Sequence, residues 1–349
     1  MSFHPLFGAP RFGAAAVAVV AVTLGGVGTA VAVPVRAATS PSVAVVNNTL
    51  TITGTDRSDQ IAIGDSGVDP TTLIVGLGGG QVVSVPRASF TSITVLLGDG
   101  NDEFSDSDST PDRVTVDAGR GDHTVTTAGG DDVIFGREGN DTIRGGGGDD
   151  VIDAGAGNDI VSGGPGHDTV FLDAGRDTML WNPGDGSDTV DGGDGRDTLQ
   201  FNGSNTSEQM RLLADNGRTE LIRDVANIHM DFAAIENVNV AALASADTIT
   251  VDDLSSTDVR NTNIELSAAG AGDGAVDKVT VNGTDQVDRV RVAPDATGIA
   301  VVGLGPATHI SGAERTDQLQ VNTLAGNDQV RVAPGTDAHI GVSVDLGPQ

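Results

Sequence analysis

The chain has 349 residues, a formal net charge of -30 and no cysteine, which excludes disulfide bonds, thiolate metal sites and thiol nucleophiles. Its negative field would repel a phosphate-rich partner, which argues against nucleic acid and anionic membrane surfaces as ligands. Aromatic residues make up only 3% of the chain and glycine numbers 49, so the interior must be built from small aliphatic side chains.

An uncharged apolar run of small residues occupies positions 13–33 and is followed by polar, turn-rich sequence. This order predicts an export signal over residues 1–37, cleaved after Ala32 or after Ala37. An uncleaved membrane anchor is the alternative, because a run of this length is enough to span a bilayer. The glycines inside the run and the small-residue cleavage sites favour cleavage. We therefore predict a secreted protein with no membrane span after cleavage, with retention at the cell surface left open.

Residues 38–95 alternate apolar and polar side chains between clusters of Gly, Asp and Pro, as in SVAVVNNTLTITGT and TTLIVGL. Such alternation is typical of short β-strands joined by turns, and no helical spacing interrupts it. This segment is predicted to be an N-terminal β-rich region.

Residues 96–203 contain a nine-residue repeat, in which a glycine stands four residues and an aspartate two residues ahead of an aliphatic side chain. The aspartate is present in eight of nine units; in the first unit His123 takes its place, next to Asp122, which could substitute. An earlier unit, LGDGNDEF, carries Asp102 out of phase with the others. The repeated aspartates are Asp132, Asp141, Asp150, Asp159, Asp168, Asp177, Asp188 and Asp197.

A unit of six turn-forming residues and three β residues cannot bury its single aliphatic side chain alone, so successive units must coil and stack. Two units make one coil, and aspartates two units apart lie on the same edge. The two resulting columns are Asp132, Asp150 and Asp168, and Asp141, Asp159 and Asp177. Like charges at that spacing repel, and calcium takes six or more hard oxygen ligands, so the repeat predicts calcium between successive turns. Since Asp197 ends the series, Asp197→Ala should weaken folding less than Asp150→Ala.

A resemblance to a known family rests on the units GREGNDTIR, GGGGDDVID, AGAGNDIVS, GGPGHDTVF and GGDGRDTLQ. They are similar to the RTX, or haemolysin-type calcium-binding, nonapeptide family, whose pattern is G-G-x-G-x-D-x-U-x. The resemblance implies a parallel β-roll in which aspartates and turn carbonyls of adjacent coils hold several calcium ions. The ligands it implies are the repeated aspartates with Asp102, and the carbonyls around Gly146, Gly148, Gly164 and Gly166. The units of Asp177 and Asp188 depart from the pattern, because one lacks the first glycines and the other has two extra residues.

Residues 204–235 are the least β-like stretch, and a weak helical spacing of Met210, Leu213 and Leu221 predicts a linker or a small cap. From 236 to 349 the β pattern returns as a C-terminal β-rich region with degenerate repeats. In it NGTDQVDRVRV shares the form G-T-D-x-x-D-x-(I/V) with TGTDRSDQIAI near the N-terminus. A lone Gly-Asn-Asp at 326–328 is interpreted as a turn that needs no metal. The predicted fold is all-β: a calcium-stacked parallel β-roll flanked by solenoid or sandwich-like β regions.

No catalytic motif is recognisable, because H-E-x-x-H and G-x-S-x-G are both absent and the six histidines are scattered. We therefore expect a secreted, non-catalytic calcium-binding structural or interaction protein. Its expected partners are calcium and a polysaccharide or protein at the cell surface. A polysaccharide-binding or polysaccharide-degrading β-helix is one alternative, and the scarcity of aromatic residues counts against it. A calcium-dependent adhesin or surface-layer component is another.

Overall fold

The computed structural model describes residues 40–67, 69–107, 112–267 and 272–348. The predicted export signal lies outside the described residues. Regular structure in the described ranges consists of β-strands and three short 3-10 turns, at Arg87–Ser89, Val225–Asn227 and Thr336–Ala338. No helix in this part of the chain is long and apolar enough to cross a membrane. The all-β prediction is therefore confirmed for these residues.

The chain divides into two compact units, Met1–Ile152 and Asp153–Gln349. Strands of the first unit show the alternating burial of a two-residue period, because every second side chain points into the core. The strands are β1 (Ser42–Val46), β2 (Thr49–Thr53), β3 (Gln60–Asp65), β4 (Thr72–Gly76), β5 (Val82–Pro86), β6 (Ser92–Asp99), β7 (Glu103–Asp106), β8 (Val114–Arg120), β9 (Thr124–Thr126), β10 (Val133–Phe135), β11 (Thr142–Arg144) and β12 (Val151–Asp153).

These strands form two sheets, with the orders β1-β2-β6-β8-β10-β12 and β5-β4-β3-β7-β9-β11. From β2 and β3 onward the neighbours are parallel, and strands alternate between the sheets, so that β8 pairs with β10 and β9 with β11. The chain therefore coils, and two nine-residue units make one coil, as predicted. Antiparallel pairs β1-β2 and β3-β4-β5 are added to the first coils.

The second unit is a coil of the same kind, with longer strands after the repeats. Its strands are β13 (Ala156–Gly157), β14 (Ile160–Ser162), β15 (Thr169–Phe171), β16 (Ala174–Gly175), β17 (Thr178–Trp181), β18 (Thr189–Asp191), β19 (Asp194–Gly195), β20 (Thr198–Asn202), β21 (Gln209–Asp215), β22 (Arg218–Arg223), β23 (Ile228–Ala233), β24 (Asn237–Ala241), β25 (Thr248–Val251), β26 (Asn261–Glu265), β27 (Lys278–Asn282), β28 (Arg289–Pro294), β29 (Gly298–Val302), β30 (Ala307–Ser311), β31 (Gln318–Asn322), β32 (Gln329–Val332) and β33 (Gly341–Asp345).

Three sheets organise the second unit. One has the order β15-β18-β23-β22-β21-β25-β27-β31-β33, and the second has the order β14-β17-β20-β24-β26-β30-β29-β28-β32. The third, β13-β16-β19, consists of two-residue strands within the turns. Most neighbours are parallel, whereas β21-β22-β23 and β28-β29-β30 are antiparallel insertions into the coil.

The core of the repeat coils is a column of aliphatic side chains, one from each three-residue strand, whereas longer strands bury two or three side chains. In the register of the sheets, Val125 lies beside Ile143, and Val170 lies beside Val190. Burying such a side chain contributes about 1.5–3 kcal/mol, so the stack stabilises the coil and fixes where the turns come. The predicted inward positions are all buried, at Val125, Ile134, Ile143, Ile152, Val161, Val170, Met179, Val190 and Leu199.

The helical spacing predicted within residues 204–235 is wrong, because this segment forms β21, β22 and β23. The three strands lie in one sheet between β18 and β25. Met210 and Leu212 are buried while Leu213 is only half-buried, which is a period of two. The turn between β21 and β22 contains Asn216 and Gly217 with φ of 49° and 84°, the conformation of a type I′ hairpin turn that Asn-Gly favours.

Candidate metal centre

Each repeat turns through a six-residue loop that ends at an aspartate of the columns. In the loop 145–150 the second and fourth residues, Gly146 and Gly148, have φ of 91° and 126°. A Cβ at these positions would lie 2.1 Å from the carbonyl oxygen of Ala128 and 2.2 Å from that of Gly130. Glycine at both places therefore lets the carbonyl oxygens of one turn approach the next turn closely.

The second pair of turn glycines named by the resemblance has the same backbone. Gly164 and Gly166 have φ of 103° and 156°. The amide N–H of Gly186 donates to the carbonyl oxygen of Gly164 at 3.1 Å, which stacks this turn on its neighbour in the second unit. Both predicted glycine pairs are thus placed where successive turns meet.

One oxygen of a column aspartate accepts a backbone hydrogen bond from the neighbouring coil. In the first unit the N–H of Asp132 donates to Oδ1 of Asp150 at 2.8 Å, and the N–H of His123 donates to Oδ1 of Asp141 at 2.7 Å. Each bond joins residues 18 positions apart, the length of one coil. We call this arrangement of stacked carboxylates the acidic ladder; its backbone bonds hold these carboxylates in a fixed orientation at the turn.

The acidic ladder is present in the second unit as well. The N–H of Asp159 donates to Oδ1 of Asp177 at 2.7 Å, and the N–H of Asp177 donates to Oδ1 of Asp197 at 2.8 Å. In the other column the N–H of Asp168 donates to Oδ1 of Asp188 at 3.1 Å. The two irregular units, which end at Asp177 and Asp188, therefore keep the ladder geometry despite their departures in sequence.

Three positions differ from what the spacing suggests. The N–H of Asp102 donates to Nδ1 of His123 at 3.2 Å, so Asp102 lies in the ladder although its spacing in the sequence differs. His123, rather than the exposed Asp122, occupies the ladder position of its unit. Burial lowers the pKa of His123, in agreement with a neutral ring that accepts this bond. The N–H of Asp197 donates to Oε2 of Glu236 at 2.8 Å. Asp197 therefore lies inside its column, and the premise for a milder effect of Asp197→Ala is wrong.

In five aspartates of the ladder, the second carboxylate oxygen is buried without a hydrogen-bond partner. Burying an acceptor in this way costs free energy, and the cost is larger when the group is charged. The glycine turns beside these carboxylates bring carbonyl oxygens, which are acceptors too, so a cation is the complement that the site lacks. The side chains are at most 3% exposed, and the oxygens are Oδ2 of Asp102, Asp132, Asp177, Asp188 and Asp197.

Burial changes the acidity of these carboxylates. Desolvation is the largest cause, and the hydrogen bonds from backbone N–H groups only partly oppose it. The pKa is raised to about 7 for Asp188. It is raised to about 6 for Asp102, Asp132, Asp141, Asp177 and Asp197. Without a cation, the folded ladder therefore ionises only as the pH approaches neutrality, well above the range in which an exposed aspartate loses its proton.

The donor set of the ladder fits calcium. No three acidic or histidine side chains among the described residues converge on a metal site of side chains alone. Each pair of stacked turns offers two carboxylates and backbone carbonyls, which are the hard oxygen ligands that calcium accepts. The predicted ligands brought together are Asp132 with Asp150 in the first unit, and Asp159 with Asp177 and Asp168 with Asp188 in the second.

A coil of parallel strands with a buried carboxylate at each repeat turn is a β-roll. Residues 115–143, 126–161, 144–179 and 184–203 match the family model described as RTX calcium-binding nonapeptide repeat, in four copies. Residues 115–203 of this chain are therefore RTX haemolysin-type calcium-binding repeats. A comparison with curated proteins finds no match to the chain.

The flanking coils contain a second kind of turn, which sequence reasoning noticed only as a shared G-T-D-x-x-D form. In this turn the N–H of the second loop residue donates to the second oxygen of the aspartate that ends the loop. The N–H of Thr55 donates to Oδ2 of Asp59 at 2.6 Å, and the N–H of Thr284 donates to Oδ2 of Asp288 at 2.9 Å. Neither threonine has a positive φ. Such a turn satisfies its own carboxylate, so it has no unpaired oxygen for a cation.

Proposed function

We propose that this chain is a secreted, non-catalytic calcium-binding protein with a structural or interaction role, whose nonapeptide repeats fold on binding extracellular calcium. The observation that carries the proposal is the buried, unpartnered second oxygen of ladder aspartates such as Asp132, Asp177 and Asp188. The RTX match over residues 115–203 supports calcium as the ion. The apolar run at 13–33 supports export.

Repulsion within the ladder explains why folding should wait for calcium. Strands of successive coils are about 4.8 Å apart, and two unit charges at that distance repel by about 3 kcal/mol at an effective dielectric constant of about 20. Residues 98–200 carry 24 acidic and 6 basic side chains, so internal cations are too few to offset this. Calcium bound between turns supplies positive charge at that place, and its binding free energy becomes folding free energy.

The difference in free calcium across the cell envelope would then control folding. Extracellular calcium sites have dissociation constants of about 10⁻⁴–10⁻³ M. Such sites stay empty at the low calcium of the cell interior and fill at the millimolar calcium outside. The repeats would therefore remain loose before export and become a rigid β-roll after it.

Equilibrium dialysis of the full chain tests the calcium part of this proposal. We expect several calcium ions bound per chain, with half-saturation at about 10⁻⁴–10⁻³ M, and no displacement by an equal concentration of magnesium. A chain that binds no calcium at millimolar concentration contradicts the proposal.

Export is tested separately by sequencing the N-terminus of the protein recovered from the medium of a bacterial host. We expect a mature chain that begins at Val33 or at Ala38, because those residues follow the two predicted cleavage sites. Recovery of the uncleaved chain in the membrane fraction would instead support the anchored alternative.

A further inference from the structure

A turn of the C-terminal flank, outside the matched repeats, has the backbone of the repeat turns although it contains no glycine. The loop 242–247, with the sequence ALASAD, ends at Asp247, and its second and fourth residues are Leu243 and Ser245. Their φ values are 71° and 85°, whereas glycine fills both positions of the repeat turn 145–150. Left-handed backbone costs a residue with a Cβ about 1–2 kcal/mol, and such conformations cluster at ligand sites.

The carboxylate that ends this turn belongs to the acidic ladder. The N–H of Glu208 donates to Oδ1 of Asp247 at 2.8 Å, and the N–H of Asp247 donates to Oδ1 of Asp277 at 2.8 Å. The carboxylate of Asp273 accepts the N–H of Ser245, which brings a further acidic group to the turn. The loop is therefore stacked between coils as a repeat loop is.

Two side-chain oxygens of the loop 242–247 are buried without a hydrogen-bond partner. Asp247 is 2% exposed, and its Oδ2 is buried without a hydrogen-bond partner. Oγ of Ser245 is also buried without a partner. In the turn that ends at Asp288, the N–H of Thr284 donates to Oδ2 of that aspartate. In the loop 242–247 the equivalent residue, Leu243, has a left-handed backbone, and Oδ2 of Asp247 receives no such hydrogen bond.

The charge around Asp247 is negative. Desolvation raises the pKa of Asp247 to about 7, with further contributions from Asp277, Glu208 and Asp273. The charge of Glu208 is offset within the protein, because the buried guanidinium of Arg223 forms an ion pair with it. The ion pairs within the described residues include none with Asp247, Asp273 or Asp277.

We propose that the loop 242–247 is a further calcium site, in which Oδ2 of Asp247 and Oγ of Ser245 bind the ion and the carboxylates of Asp273 and Asp277 add negative charge. The site lies in the C-terminal flank, outside residues 115–203, and it rests on the proposed function for the identity of the ion. Hard oxygen ligands and a surplus of negative charge select calcium over softer metals. The C-terminal flank thus takes part in the calcium response.

Hydrogen exchange measured by mass spectrometry on the full chain tests this site apart from the repeats. With calcium, and not with magnesium, we expect slower exchange both in peptides from 115–203 and in the peptide that covers 242–247. Asp247→Asn should abolish the second response, leave the first in place and reduce the calcium bound per chain by one. The matched control Asp285→Asn removes the same charge from an exposed position in the same flank, so the calcium count should not change.

Ser245→Ala leaves the ladder hydrogen bonds in place and provides a second test of the site if Asp247→Asn does not fold. It should raise the calcium midpoint for the 242–247 peptide several-fold without moving the midpoint of the repeats. The site is overturned if, in these variants, the 242–247 peptide is protected at an unchanged calcium midpoint and the chain binds an unchanged number of calcium ions. A chain whose 115–203 peptides ignore calcium contradicts the proposed function instead, and a chain in which only 242–247 ignores calcium contradicts the further site alone.

Discussion

At the scale of single residues, the two oxygens of a ladder aspartate have different tasks. In Asp177, Oδ1 accepts the N–H of Asp159 and holds the coil together, while the buried Oδ2 has no partner. The first oxygen explains why the chain repeats an acceptor at this place. The second explains why the acceptor is a carboxylate rather than an amide.

Asp177→Asn should weaken calcium binding and stabilise the metal-free chain. Asparagine keeps an oxygen for the backbone bond but removes a buried charge, so the repulsion is lost together with the ligand. We expect the calcium midpoint of folding to rise on the order of tenfold, which corresponds to about 1.4 kcal/mol, as measured by a calcium titration. Asp194→Asn is the control, because this exposed side chain carries the same charge outside the ladder. Equal midpoints for the two variants would refute the assigned role of Asp177.

His123→Asp should add a calcium ion. The ladder passes through His123, whose buried ring is neutral, and Oδ2 of its neighbour Asp102 has no hydrogen-bond partner. A carboxylate at position 123 would restore the repeat pattern, so equilibrium dialysis should find one more calcium per chain. The metal-free variant should be less stable than the parent at neutral pH. An unchanged calcium count would show that this place in the ladder cannot hold an ion.

At the scale of the turn, glycine decides how closely coils stack. Gly148→Ala would place a Cβ 2.2 Å from the carbonyl oxygen of Gly130, so backbone must move. We expect a loss of about 3 kcal/mol or more in the free energy of unfolding with calcium. Gly217→Ala is the control, because φ is also positive there but no heavy atom lies within 4 Å, and it should cost about 1 kcal/mol. Urea unfolding of both variants measures the difference, and similar losses would count against close stacking.

The ladder as an element should make the metal-free fold sensitive to pH. Its aspartates have a pKa of about 6 to 7 when folded, above the ordinary aspartate pKa of about 3.9. The folded state therefore binds protons that the unfolded state releases. Their contribution to stability is full below about pH 4 and is lost as the pH rises through 6 to 7. In chelator, the melting temperature should therefore be higher at about pH 5 than at about pH 7.5. A melting temperature that rises over this range would contradict the raised pKa values.

Much of the fold could be predicted from the sequence, because one short repeat determines strand, turn and stacking together. The meander β21-β22-β23 was missed because its strands follow no repeat, although Asn216-Gly217 is a hairpin signal. The loop 242–247 could not be recognised, because Leu243 and Ser245 adopt by tertiary packing a backbone that the repeats obtain with glycine. The lone Gly-Asn-Asp at 326–328 was interpreted as metal-free, yet Oδ2 of Asp328 is buried without a partner, as in the repeats.

At the scale of the whole molecule, the patterned charge links the composition to the function. The chain carries a net charge of -30, and residues 98–200 contribute -18 of it. In the absence of a cation this charge opposes the compact state, and calcium between the turns would offset it where it is most concentrated. Folding by many stacked sites should be cooperative, because each ion joins two turns and each coil supports the next.

Far-UV circular dichroism of the full chain during a calcium titration, with magnesium as the control, tests this central claim most directly. We predict a sharp, cooperative gain of β signal at millimolar calcium that magnesium does not produce and that a chelator reverses. A β spectrum that is the same with calcium, with magnesium and with chelator would contradict the account, because the coil would then be stable without any ion in its acidic ladder.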